Sequence, residues 1–227
     1  MADSPSLLRL LAWLSPGFPV GAYSYSHGIE YAVEAGKLRD AGSLTSWVAT
    51  VLEIGTGRAD AILFCAAWRA VAKDDTRALC AVAERAAALR STAELGREST
   101  AQGRAFAVTV AAAWPQRGTA VLLDVWGGPV AYPVAVAAAS AGHGVALADS
   151  LCAYLHAFAA NLVSAGVRLI PLGQTDGQRA VAALESPILR MAAAAPQLPL
   201  ADAGSGTWMV DWCSMQHESQ RTRLFRS

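Results

Sequence analysis

Charge is what this sequence has least of. Of its 227 residues only 16% are charged, and 18 Lys+Arg stand against 18 Asp+Glu, leaving no net charge. Affinity for a phosphate backbone comes from clustered cationic charge, so the balance argues against a general nucleic-acid binder. Disorder is equally disfavoured, because 54% of the residues are hydrophobic and disordered chains combine low hydrophobicity with high charge. Cysteine is sparse too. Cys65, Cys80, Cys152 and Cys213 form no C-x-x-C pair and no disulfide or zinc-ribbon spacing. Three of them fall in apolar helical patterns, where a buried free thiol in a reducing cytosol is the simpler reading. No signal peptide is read at the N-terminus, where Asp3 replaces the basic flank and Arg9 interrupts the apolar run; a cytoplasmic protein is expected. The charge-free stretch 125–148 is broken by Gly127, Gly128, Pro129 and Pro133, which argues against a membrane helix.

Strand-like alternation is nearly missing as well, while alanine-rich segments with apolar residues at helical spacing recur. The fold expected is all-α, a single-domain bundle of about eight to ten helices over residues 1–203, followed by a tail, 204–227. Helices are predicted at Pro5–Leu14, Ser26–Ala35, from a Ser43 N-cap through Leu52, at Asp60–Lys73, Thr76–Arg90, Thr92–Trp114, Leu147–Leu169 and from Thr175 to about Ala194. Pro187 either kinks the last of these or starts a new helix. Gly96, Ser99 and Gly103 share one face, which predicts either a close backbone approach or an ordinary weak, kinked helix. Without net charge and with ample apolar surface, the chain is expected to have partners.

Catalytic templates are absent: no phosphate loop, no G-x-S-x-G, no H-E-x-x-H and no dinucleotide fingerprint. An enzyme is not expected, nor a bound cofactor. His27, His143, His156 and His217 are far apart in sequence, none with a Cys or His at i+3 or i+4, so no metal site is read from them. His156 reads as a hydrogen-bonded core or interface histidine. In Tyr23-Ser24-Tyr25-Ser26-His27 the hydroxyls beside an imidazole suggest a nucleophile and base, or else a helix cap completed by Glu30.

The tail is the least ordinary segment. Trp208, Trp212 and Met215 lie at i, i+4, i+7, and His217, Glu218, Arg221, Arg223, Leu224, Phe225 and Arg226 follow. Aromatic and arginine anchors are what interface cores prefer. Either this set binds a partner, with Gly204-Ser205-Gly206 as a hinge, or the stripe packs on its own domain and the end frays. Few core positions are expected within 217–227.

Four motifs resemble the UreF family of urease accessory proteins: Leu7–Leu11, Phe18–Glu30, Asn161–Gln178, and the ending from His217-Glu218 through Arg223–Ser227. Tyr25 stands where many relatives carry His, so a nickel role for that loop does not carry over. The resemblance implies an all-α, non-enzymatic nickel-insertion chaperone. It implies binding to UreD (also called UreH), a homodimer within that complex, recruitment of the GTPase UreG, and delivery of Ni(II) to the urease apoprotein. Positions taken as structural or interfacial are Pro19, Gly21, Ser26, Gly28, Glu30, Gly103, Arg104, Asn161, Arg168, Gly173, Gln174 and Gln178. Asn161 and Arg168 share a helical face, and Gly173 and Gly177 are expected to let the chain turn after Pro171. An alternative is that Arg104 or Arg168 acts in trans on GTP hydrolysis by UreG.

Overall fold

The computed structural model describes residues 3–227. Its helices are α1 (Ser4–Trp13), α2 (Ile29–Glu34), α3 (Ala41–Ile54), α4 (Thr56–Ala72), α5 (Thr76–Ala88), α6 (Ala93–Ala113), α7 (Arg117–Ala120), α8 (Tyr132–Gly142), α9 (Leu147–Leu169), α10 (Gln174–Ala183), α11 (Glu185–Ala194) and α12 (Trp208–His217). Helix α7 runs on into a π-helical turn, Val121–Trp126. Among the described residues there is no strand, and ten helices remain when segments parted by no more than one residue are joined, so the all-α expectation holds.

Helix starts follow side-chain chemistry. Asp3, Asp40, Asp75 and Thr92 each accept a backbone N–H from three residues on, which satisfies one of the orphan donors of the first turn. Ser43 is therefore not the N-cap of α3. It sits at the third helical position of a capping box, donating its amide to Asp40 at 2.7 Å while its hydroxyl accepts the Asp40 amide at 3.2 Å. The Ser43 amide, and the Ser43 hydroxyl donating to the same oxygen at 2.9 Å, hold the Asp40 carboxyl below the usual carboxylate range. Pro187 begins rather than kinks a helix, at the third position of α11.

The core is built on close approach of small residues. Every residue from Pro133 to Ser140 in α8 is buried, and the helix is packed against α4, α6 and α9. Trp13 carries α1 into this core, its ring edge-on to Phe106 at 6.3 Å and to Trp114 at 6.0 Å. Helix α9 is long and apolar enough to cross a membrane by length and composition. That apolarity serves packing, because α9 contacts α2, α3, α4, α8, α10 and α11.

Gly103 lies where α6 crosses the start of α8. A Cβ there would meet Val130 O at 2.0 Å and Ala131 C at 2.7 Å, both backbone atoms. Ser99, one turn earlier, accepts the Tyr132 amide at 3.3 Å. Gly96 is different, since only the Arg90 side chain is near it. Gly103→Ala should therefore destabilise the fold by roughly 1–3 kcal/mol through overpacking. Urea unfolding checks this, and a midpoint equal to wild type would mean that the crossing is looser than described.

After α9 the chain turns at residues 170–173 into α10. Gly177 plays no part in that turn. It sits inside α10, where a Cβ would strike Val167 Cγ2 at 2.8 Å, so its role is the close packing of α10 on α9. Gly173 is the residue before α10, with φ −77°, a conformation open to any residue.

Candidate functional site

Three helices and the last ten residues converge at one end of the domain. His27 (φ +57°) and Gly28 (φ +79°) are both left-handed, which delays α2 until Ile29 rather than the predicted Ser26. The cause is α12. A Cβ on Gly28 would lie 3.1 Å from Ser214 N and 3.2 Å from Val210 O, so glycine lets the α12 backbone pass against the start of α2.

Ser26 consequently does not complete a capping box with the Glu30 carboxylate. Its hydroxyl accepts the Glu30 amide at 3.3 Å and donates to the Ser227 carbonyl. The Ser26 amide also donates to Ser227 O at 2.8 Å, and the Arg226 amide donates to Ser24 O at 2.8 Å. The last residues are thus pinned to the 24–26 segment by backbone bonds.

The freed Glu30 carboxylate reaches the tail. It accepts the amides of Leu224 at 2.7 Å and Phe225 at 2.9 Å, and lies 3.0 Å from His217 Nε2. On its other side the His217 ring places Nδ1 2.7 Å from Glu94 Oε2, and the second Glu94 oxygen accepts from Arg223 at 2.8 Å. Both ring nitrogens thus face carboxyl groups. One turn along α6, Glu98 accepts the Ser227 hydroxyl at 2.7 Å and faces His27 Nδ1 at 3.3 Å. All three glutamates and both histidines are buried. Charges taken out of water demand partners, and here each has one. Among the described residues no group of three or more His, Cys, Asp or Glu side chains is placed to hold a metal ion.

Helix α12 turns its polar face inward. Asp211 accepts from the Ser91 hydroxyl at 2.6 Å, Ser214 pairs with Thr92 at 2.7 Å, and His217 joins the two glutamates. Its large apolar side chains point the other way: Trp208 is 83% exposed, and Met209, Trp212 and Met215 are all exposed. Trp212 is braced rather than buried, edge-on to Tyr31 at 5.3 Å with the Lys37 ammonium 5.4 Å from its ring. Val210 and Cys213 join the core on the inner face, so α12 is anchored from that side while an apolar stripe stays in water on the other.

The tail residues singled out from sequence therefore separate into two groups. His217 and Phe225 are buried, with Ser227 beside them, so the expectation of few core positions within 217–227 is corrected: the His217 ring and the Ser227 hydroxyl meet buried carboxylates, and Phe225 gives its backbone amide to Glu30. Glu218, Arg221, Arg223, Leu224 and Arg226 are exposed. Gly206 is tied by its amide to Ile54 O at 2.8 Å.

Elsewhere, Arg168 is exposed and stacks its guanidinium over the Phe225 ring at 4.4 Å, with Nε donating to Ser164 O at 3.2 Å. Asn161 is half-buried, so the pair is not a buried polar face. Pro19, Arg104, Gln174 and Gln178 are exposed, and Gly21 is left-handed at φ +70° ahead of a short 3₁₀ turn, Ala22–Ser24. His156 is exposed on α9 rather than set in the core.

Burial pushes the thiols of Cys65 and Cys213 up to about 11. At pH 8 each should be only about a thousandth thiolate, so alkylation of either should await unfolding. Mass-resolved labelling with iodoacetamide checks this. Fast labelling of Cys213 in the folded chain would mean that α12 leaves its seat.

A family model described as UreF matches residues 38–185, well over half of the chain. The chain belongs to the UreF family. A protein named Urease accessory protein UreF from Rhodopseudomonas palustris (strain BisB5) is 52% identical over 225 residues, covering 99% of this chain and 93% of its own. Its namesakes from Xanthobacter autotrophicus and Azorhizobium caulinodans are each 51% identical, covering 100% and 98% of this chain and 93% and 96% of their own.

Sequence reasoning missed Glu94 and Glu98. Their signal was present: Glu94, Glu98, Gln102, Phe106 and Val110 follow one another at intervals of four, so the acids share a face with core positions. Glutamate in phase with an apolar stripe needs a buried partner.

Proposed function

We propose that this chain is a urease accessory protein that acts as a non-enzymatic nickel-insertion chaperone in the cytoplasm. It binds UreD/UreH through the tail, forms a homodimer within that complex, recruits UreG, and serves delivery of Ni(II) to the urease apoprotein. Membership of the UreF family and the names of its relatives support the accessory role. The observation that carries the binding surface is the outward apolar face of α12, with Trp208, Trp212 and Met215 in water and the helix held from behind by polar bonds. Rigid aromatic anchors presented on a fixed helix bind with little ordering cost.

The reading is tested by co-expressing the chain with UreD and UreG, measuring the mass of the purified assembly, and assaying urease activation in a host lacking its own UreF. A complex containing the chain together with restored, nickel-dependent urease activity is expected. A folded chain that co-purifies with neither protein and restores no activity would overturn it.

A further inference from the structure

A groove of about 1070 Å³ runs beside α6 and the last residues. Arg97 and Arg104, seven residues apart on α6, line it together with Arg226 and Glu218, while the buried side chains of Tyr25 and Phe225 give it an apolar base. Arg223 also faces the groove, but its charge is matched by Glu94 at 2.8 Å. Arg97 bonds only a backbone carbonyl, Ala93 O at 3.3 Å. Among the described residues, no carboxylate lies within ion-pair distance of Arg97, Arg104 or Arg226. Three unmatched guanidiniums against the one carboxylate of Glu218 make a local surplus in a chain whose net charge is zero.

We propose that this groove binds an extended acidic segment of another protein, with carboxylates on Arg97, Arg104 and Arg226 and one apolar side chain over Tyr25 and Phe225. Guanidinium forks match carboxylates in bidentate geometry. The groove is too large for a single small anion and is of the size that encloses several side chains. A nucleic acid is disfavoured because three guanidiniums around an apolar base offer no continuous cationic track for a phosphate backbone. The proposal goes beyond the accessory role: Arg97 and Arg104 lie on α6, away from the outward face of α12, while Phe225 and Arg226 belong to the tail.

The test is fluorescence anisotropy on the full chain with a labelled peptide of about twelve residues, Glu and Asp around one central Leu. Controls are the same peptide with Lys for the acids and a single-stranded oligonucleotide of equal length. The acidic peptide should bind at least about tenfold more tightly than either control, and less tightly as salt rises. Arg97→Glu with Arg104→Glu should weaken it about tenfold or more while the circular-dichroism spectrum is kept. Arg104→Gln alone, the milder variant should the double reversal disturb folding, should weaken it about threefold. Equal binding of the Lys peptide, equal binding of the oligonucleotide, or unchanged affinity in the folded variants would each overturn the proposal.

Discussion

Glu30→Ala should cost roughly 3–5 kcal/mol, the largest loss expected from any single substitution among the groups that hold the tail. The Glu30 carboxylate takes two tail amides and one nitrogen of His217. Its removal leaves His217 with Glu94 alone, in a place where water does not reach, and leaves the 224–225 backbone without its acceptors. An unpaired buried polar group costs far more than the net worth of the bond it has lost. Glu30→Gln keeps one acceptor oxygen and loses the charge, so roughly half the effect is expected. Urea unfolding followed by circular dichroism gives the magnitude, and iodoacetamide labelling of Cys213 reports whether α12 has left its seat. A loss under about 1 kcal/mol for the alanine variant would mean that the tail is not held by this carboxylate.

Trp208→Asp combined with Trp212→Asp should do the opposite, sparing the fold and removing the partner. Trp208 touches little in the free chain, and Trp212 gives up only its contacts with Tyr31 and Lys37. Stability should fall by less than about 1 kcal/mol. Affinity for UreD should fall by about 2–4 kcal/mol, or roughly 30-fold to 1,000-fold, the range for aromatic hot spots. Calorimetric titration of UreD into each protein checks this; a change below about threefold would place the docking surface elsewhere. Deleting residues 217–227 is the poorer test, because it also strips His217, Phe225 and Ser227 from Glu30 and Glu98.

Much of the fold was legible because helical periodicity and punctuation are local. The bounds of α9, Leu147–Leu169, match the apolar run and Pro171 that follows it. Legibility ended where a contact from far along the chain decided the local structure. Ser26 looks like a helix cap, and only the α12 backbone lying on Gly28 explains why the helix waits until Ile29. Ser43 has a hydroxyl suited to a cap, but Asp40 three residues earlier is the stronger acceptor and takes that place. At the tail, Trp208, Trp212 and Met215 were recognisable as one stripe, but periodicity does not tell which side of a helix faces the core. The inward side of α12 is set by Asp211, Ser214 and His217, whose partners Ser91, Thr92, Glu30 and Glu94 lie more than a hundred residues earlier.

Hydroxyl-radical footprinting with mass-spectrometric readout, on the free chain and on its complex with UreD, tests the role of α12 most directly. Trp208, Met209, Trp212 and Met215 should be oxidised readily in the free chain and shielded in the complex, with Cys213 on the inner face protected in both. Oxidation of the four outward residues that is unchanged by UreD, or that is already slow in the free chain, would contradict the account.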